Sequence, residues 1–102
     1  MSTASANAFV AVSPGVYRLD AALTFASVAS LHAGGLELID SAADSLTFDL
    51  AAVSTVDSAG LALLIDWLAE AQSKSRALKY ADAPLALLSL ARLSDVEKLI
   101  TG

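Results

Sequence analysis

Phe48-Asp49-Leu50-Ala51-Ala52-Val53-Ser54-Thr55-Val56-Asp57-Ser58-Ala59-Gly60-Leu61-Ala62-Leu63-Leu64-Ile65-Asp66-Trp67-Leu68 is the stretch that decides how this chain folds. Its start continues Leu46-Thr47, so apolar and polar residues alternate through Leu50 with the two-residue period of a strand, here a central one. Residues 51–57 lose the period and read as a loop. From Ser58 to about residue 73 apolar residues return at helical spacing. Ser58 carries a hydroxyl suited to an N-cap, and Asp57 sets negative charge beside the positive end of the helix dipole. Capping alone accounts for both residue types.

On a wheel of about 100° per residue, Gly60, Leu61, Leu64, Trp67, Leu68 and Ala71 share one broad arc, the expected core face. Gly60 is expected to permit close approach of helix to sheet. Ala59, Ala62, Asp66, Glu70 and Ser73 fall within about 80° of one another on the opposite side. The first two turns of that stripe offer only small side chains, which suits a partner that comes close.

Upstream, residues 9–12 and 16–19 are short extended runs separated by Ser13-Pro14-Gly15, a turn in which Pro presets one position and Gly tolerates positive φ at the next. They form a β-hairpin. From Thr24, a plausible N-cap, Phe25, Val28, Ala29, Leu31, Leu36 and Ile39 fit a helix of about four turns. Gly34-Gly35 weakens its middle by about 1 kcal/mol per glycine and marks a kink or a close packing contact. Downstream, residues 77–81 make a further strand. Pro84 opens a third helix, with Leu85, Leu88 and Leu93 facing in. Residues 95–100 make a short closing turn or helix. The order β-β-α-β-α-β-α predicts an α/β fold: a small mixed sheet of about four strands with helices packed on it. Residues 1–8 read as a flexible N-terminus and residues 9–102 as a single domain.

Composition narrows the function. The 102 residues carry six basic and eleven acidic side chains, a net charge of −5, which argues against a nucleic-acid partner. Of the basic residues, Lys74, Arg76 and Lys79 fall close together and read as a solvated helix end. Mean hydropathy is +0.63, yet 22 residues are Ala and 18 are Leu, so much of it is alanine rather than bulky core. No apolar run reaches the roughly 18 residues of a membrane span, and residues 1–17 lack the positive charge and apolar stretch of a signal peptide, which points to the cytoplasm. There is no cysteine and one histidine, so thiol chemistry and multi-His metal sites are excluded. His32 lacks a nucleophile and an orienting acid, Asp49 and Asp57 do not of themselves make a catalytic pair, and no Gly-rich phosphate loop followed by Lys is present. No cofactor or metal is expected. Trp67 and Phe25 read as core aromatics.

In its strand-loop-helix setting, Asp57-Ser58-Ala59-Gly60-Leu61 resembles, at every position, the Asp-Ser/Thr-x-Gly-Leu motif of the STAS family, the sulfate-transporter and anti-sigma-factor-antagonist domains. The element order resembles the family fold over residues 9–100. Leu19-Asp20-Ala21-Ala22-Leu23-Thr24-Phe25-Ala26-Ser27-Val28 looks like the Gly-x-Leu-Thr-Phe-x-Thr-Val pattern of Mla-type subunits, with Ala22 a minor departure. That resemblance implies a non-enzymatic cytoplasmic subunit, peripheral at the inner membrane through its complex. Such a subunit binds and stabilises the ATPase (MlaF-type) of an intermembrane phospholipid-transport ABC complex and meets the membrane permease only indirectly. It also implies a partner interface of Asp57, Ser58, Ala59, Ala62, Leu63 and Asp66, with Gly60 and Leu61 as structural members of the motif. The alternative is an anti-anti-sigma factor that binds an anti-sigma serine kinase and is phosphorylated on Ser58. Ser58 therefore has three readings: helix cap, partner contact or phosphoacceptor.

Overall fold

The structure, a computed structural model, describes residues 8–42 and 44–102. The expectation for residues 1–8 lies outside them except at Ala8, which is buried and whose carbonyl accepts the Asp20 N–H at 2.7 Å.

Strands β1 (Phe9–Ser13) and β2 (Val16–Leu19) form the antiparallel hairpin, with Gly15 at φ +76° in the turn and a register slip between Ala11 and Ser13. β2 runs parallel to β3 (Ser45–Asp49), and β3 parallel to β4 (Ala77–Ala81), giving a four-stranded mixed sheet in the order β1-β2-β3-β4. Each parallel step needs a crossover. Helices α1 (Val28–Ser41) and α2 (Ser58–Ser73) supply the two crossovers, and α3 (Leu85–Leu93) and α4 (Glu97–Thr101) follow β4. This is the α/β architecture expected from the sequence. α1 lies along α2, α2 and α4 pack at β4, and α3 bridges α2 and α4.

The core centres on Trp67 of α2 and Phe48 of β3, both fully buried, with ring centroids 5.5 Å apart and nearly perpendicular. Phe9 closes the cluster at 5.1 Å from Phe48 and 5.8 Å from Trp67. The indole N–H of Trp67 donates to the His32 carbonyl at 3.3 Å, so the polar atom that this ring carries into the core is satisfied. Gly35 explains the glycine pair in α1: a Cβ there would collide with the Trp67 ring. The glycine marks a close helix–helix contact, and α1 runs unbroken through it.

Three details differ from the sequence reading. α1 begins at Val28, not Thr24, because residues 24–27 form a separate turn in which Ser27 accepts the Thr24 N–H and donates to the Ala22 carbonyl. A serine that bonds its local backbone competes with helix formation. α3 turns a different face inward: Leu87 and Ala91 are buried and Leu88 is half-buried, while Leu85 and Leu93 are 76% and 86% exposed. Finally, Lys74 and Arg76 do more than end a helix in solvent. Arg76 donates to the Ile39 and Asp40 carbonyls at 3.2 Å each, and Lys74 pairs with Asp40 and Glu70. Together they fasten the C-terminal end of α1, which has no basic residue of its own in its last turn. Lys79 is exposed on β4.

α2 and α3 finish alike. The Arg76 N–H reaches back to the Ala71 carbonyl and the Ser75 N–H to Gln72; Val96 and Asp95 repeat the pattern on Ala91 and Arg92. Both are Schellman closures, and both place a non-glycine residue, Ser75 (φ +58°) or Asp95 (φ +59°), in the left-handed position.

Candidate functional site

The loop between β3 and α2 is drawn against the entrance of α1. The Leu23 N–H donates to the Thr55 carbonyl at 2.8 Å, the Asp57 N–H donates to the Leu23 carbonyl at 3.0 Å, and Leu23 bridges Val56 in parallel register. Gly60 makes this approach feasible, because a Cβ there would strike the Leu23 backbone carbonyl. The close approach that Gly60 allows is thus to the α1 entrance and not, as expected, to a strand of the sheet.

Asp57 completes the junction. One carboxylate oxygen accepts the N–H groups of Ala59 and Gly60 at 3.0 and 3.1 Å and caps α2; the other accepts the Phe25 N–H at 3.0 Å. The Phe25 N–H bond is the main reason that the Asp57 carboxyl sits below its ordinary pKa. Partial burial opposes the shift, and the Gly60 and Ala59 bonds reinforce it. With its oxygens committed to three backbone donors, Asp57 is an ionised clamp, an arrangement unsuited to acid catalysis. This corrects the capping assignment: Asp57 holds the N-cap, and Ser58, first residue of the helix, is exposed and takes no part in the cap. Asp49 is separately engaged, accepting the Ala51 N–H at 3.0 Å.

The clamp also fixes Phe25. The residue is 81% exposed, so its expected place in the core is overturned: it lies in the turn ahead of α1, outside the helical register that would have carried it inward. It forms one end of an apolar groove between α1 and α2. From α1 the lining is Val28, Ala29 and His32; from α2 it is Ala59, Ala62, Leu63 and Asp66. Of the residues assigned to a partner interface, Ala59, Ala62 and Asp66 thus line the groove, with Ala62 and Asp66 exposed and Ala59 half-buried. Leu63, only 5% exposed, forms its floor rather than a projecting contact. Asp57 and Ser58 stand at its head, where α2 begins.

A family model described as "Mlab, STAS domain" matches residues 10–101. The chain belongs to the STAS domain family. Among solved structures it is similar to the anti-sigma factor antagonist SpoIIAA in its unphosphorylated form, with a TM-score of 0.70 and 17% identity over 91% of this chain and 84% of that one. At that identity the likeness establishes the fold. No curated protein sequence matches significantly.

STAS domains are protein-interaction modules, and the motif residues of this one divide accordingly. Asp57 and Gly60 build the junction and Leu61 is buried, whereas Ser58 is exposed and Ala59 half-buried, with Ala62 exposed just beyond the motif. The sequence reading missed Phe25, Val28, Ala29 and His32 as groove residues. The signal for Phe25 was Ser27, whose tendency to form a local turn separates the aromatic from the helix that follows. Among the described residues no helix is long and apolar enough to cross a membrane.

Proposed function

We propose that this STAS domain is a non-enzymatic docking subunit. It binds the ATPase subunit of a phospholipid-transport ABC complex through the Ser58 end of α2 and the adjoining groove, and stabilises that ATPase in its assembled, active arrangement. Its contact with the permease and the inner membrane is indirect. The observation that carries the reading is Phe25: a large aromatic residue, four-fifths exposed and tied at its backbone N–H to Asp57, beside small residues that leave room for a partner. Exposed aromatics next to recesses are typical anchors of protein interfaces. The Mla label of the matching family model supports the choice of partner.

The exposed Ser58 hydroxyl, free of capping duty, favours a second reading, an anti-sigma factor antagonist whose Ser58 is phosphorylated by a partner serine kinase. Against it, a phosphate at Ser58 would bring about two negative charges beside the ionised Asp57.

Co-purification of the tagged chain from its native cell separates the two. Recovery of the ATPase with its permease supports the docking subunit, and recovery of a small serine kinase supports the antagonist. Recovery of neither, together with a bound lipid or nucleotide, overturns both.

A further inference from the structure

The groove carries information about what enters it, and the inference drawn from it rests on the docking reading above. We propose that it receives a basic amphipathic helix of the partner, with an aliphatic side chain seated beside Phe25 over Leu63 and a Lys or Arg about one turn away facing Asp66.

Shape is the first support. The groove runs between two helices, and Ala29, Ala59 and Ala62 keep both walls low, so a third helix can approach closely enough for its side chains to reach the floor. An extended peptide would instead seek a strand edge for its backbone bonds, and the groove offers none.

Charge is the second. Asp66 is the single acidic or basic side chain among the lining residues apart from His32. It is exposed, and among the described residues it enters no ion pair. The cations of the domain are placed elsewhere: Lys74 and Arg76 fasten the far end of α1, Arg92 pairs with Glu97, and Arg18 and Lys79 lie on strands of the sheet. Lys98 is on α4. Nothing in the groove therefore neutralises Asp66, and an apolar partner would strand its carboxylate in a desolvated interface. An acidic partner would meet both Asp66 and a domain of net charge −5. A cationic side chain removes both penalties.

The test titrates the purified cognate ATPase subunit with the wild-type chain and two charge variants at several salt concentrations. Asp66→Lys is expected to weaken binding about ten-fold or more, as like charges meet across the interface, and to remove much of its salt dependence. His32→Glu adds a second acidic wall and is expected to strengthen binding about three-fold, a gain that misfolding cannot produce. A photoreactive p-benzoylphenylalanine at position 25 is expected to capture a helical segment of the ATPase with Lys or Arg within one turn of the attachment point. Tighter or unchanged binding by Asp66→Lys, weaker binding by His32→Glu, or capture of an acidic segment overturns the inference while the docking reading stands. Absence of wild-type binding overturns the docking reading and this inference with it.

Discussion

The Phe25 backbone N–H donates to Asp57 Oδ2 at 3.0 Å, joining residues 32 positions apart in the chain. The same carboxylate caps α2 through its other oxygen. One side chain thus sets where α2 starts and where the groove's aromatic stands, which explains why an aspartate at this position is more than a favourable charge at a helix dipole.

Asp57→Ala is expected to lower the unfolding temperature by several degrees, the loss of a cap together with a tertiary tie. The effect has a pH signature. Because the folded carboxyl titrates below its unfolded value of about 3.9, its contribution is present above that value and is lost as pH falls through the folded pKa. Urea midpoints measured from pH 7 to pH 2.5 should therefore converge for wild type and Asp57→Asn at the acid end. A constant gap throughout would count against an ionised clamp.

Ser58 behaves differently. Since it holds no cap, Ser58→Ala should leave thermal unfolding within about two degrees of wild type, where a true N-cap serine would lose about 1 kcal/mol. Ser58→Arg should fold equally well and fail to capture the ATPase. Full function of Ser58→Ala in a lipid-transport assay would rule out obligatory phosphorylation.

Phe25 and Phe48 make a matched pair for mutagenesis. Phe25→Ser removes a ring already in solvent, so chemical denaturation should hardly change while partner affinity falls at least ten-fold. Phe48→Ala empties the centre of the core and should destabilise the domain by about 3–5 kcal/mol. A comparable loss of stability from Phe25→Ser would return that residue to the core.

Two glycines are expected to be irreplaceable for distinct reasons. At Gly60 an added methyl group meets the Leu23 backbone, which cannot rotate away; at Gly35 it meets the Trp67 indole. Gly60→Ala and Gly35→Ala should each cost about 1–3 kcal/mol in urea denaturation despite alanine's better helix propensity. In the opposite direction, Ser75→Gly relieves a left-handed serine at the end of α2 and should stabilise by about 0.5–1 kcal/mol.

Legibility from sequence followed the strength of local signals. The hairpin was readable because Pro14-Gly15 presets its turn, and α2 because its apolar arc of Leu61, Leu64, Trp67 and Ala71 has a single phase. α3 was not: every residue of Leu85–Leu93 except Ser89 and Arg92 is Ala or Leu, so apolar spacing fits several faces, and packing against α2 selects Leu87 and Ala91. The same limit governed the site. The motif located Asp57 and Ser58, but which of two adjacent residues caps the helix depends on backbone angles, and Asp57 alone has the extended conformation that a cap requires. Phe25 was misplaced because its exposure depends on a bond to a residue far along the chain.

That distant bond also dictates when the binding surface can exist. The α1 entrance and the α2 entrance are synthesised on either side of β3, and closing the chain between them loses entropy that local contacts do not recover. Phe25 is therefore held in place only where the α1 entrance and the N-cap of α2 have met. A chain in which that bond has not formed carries the motif residues without the aromatic fixed beside them, and on the docking reading it would offer a partner an incomplete surface.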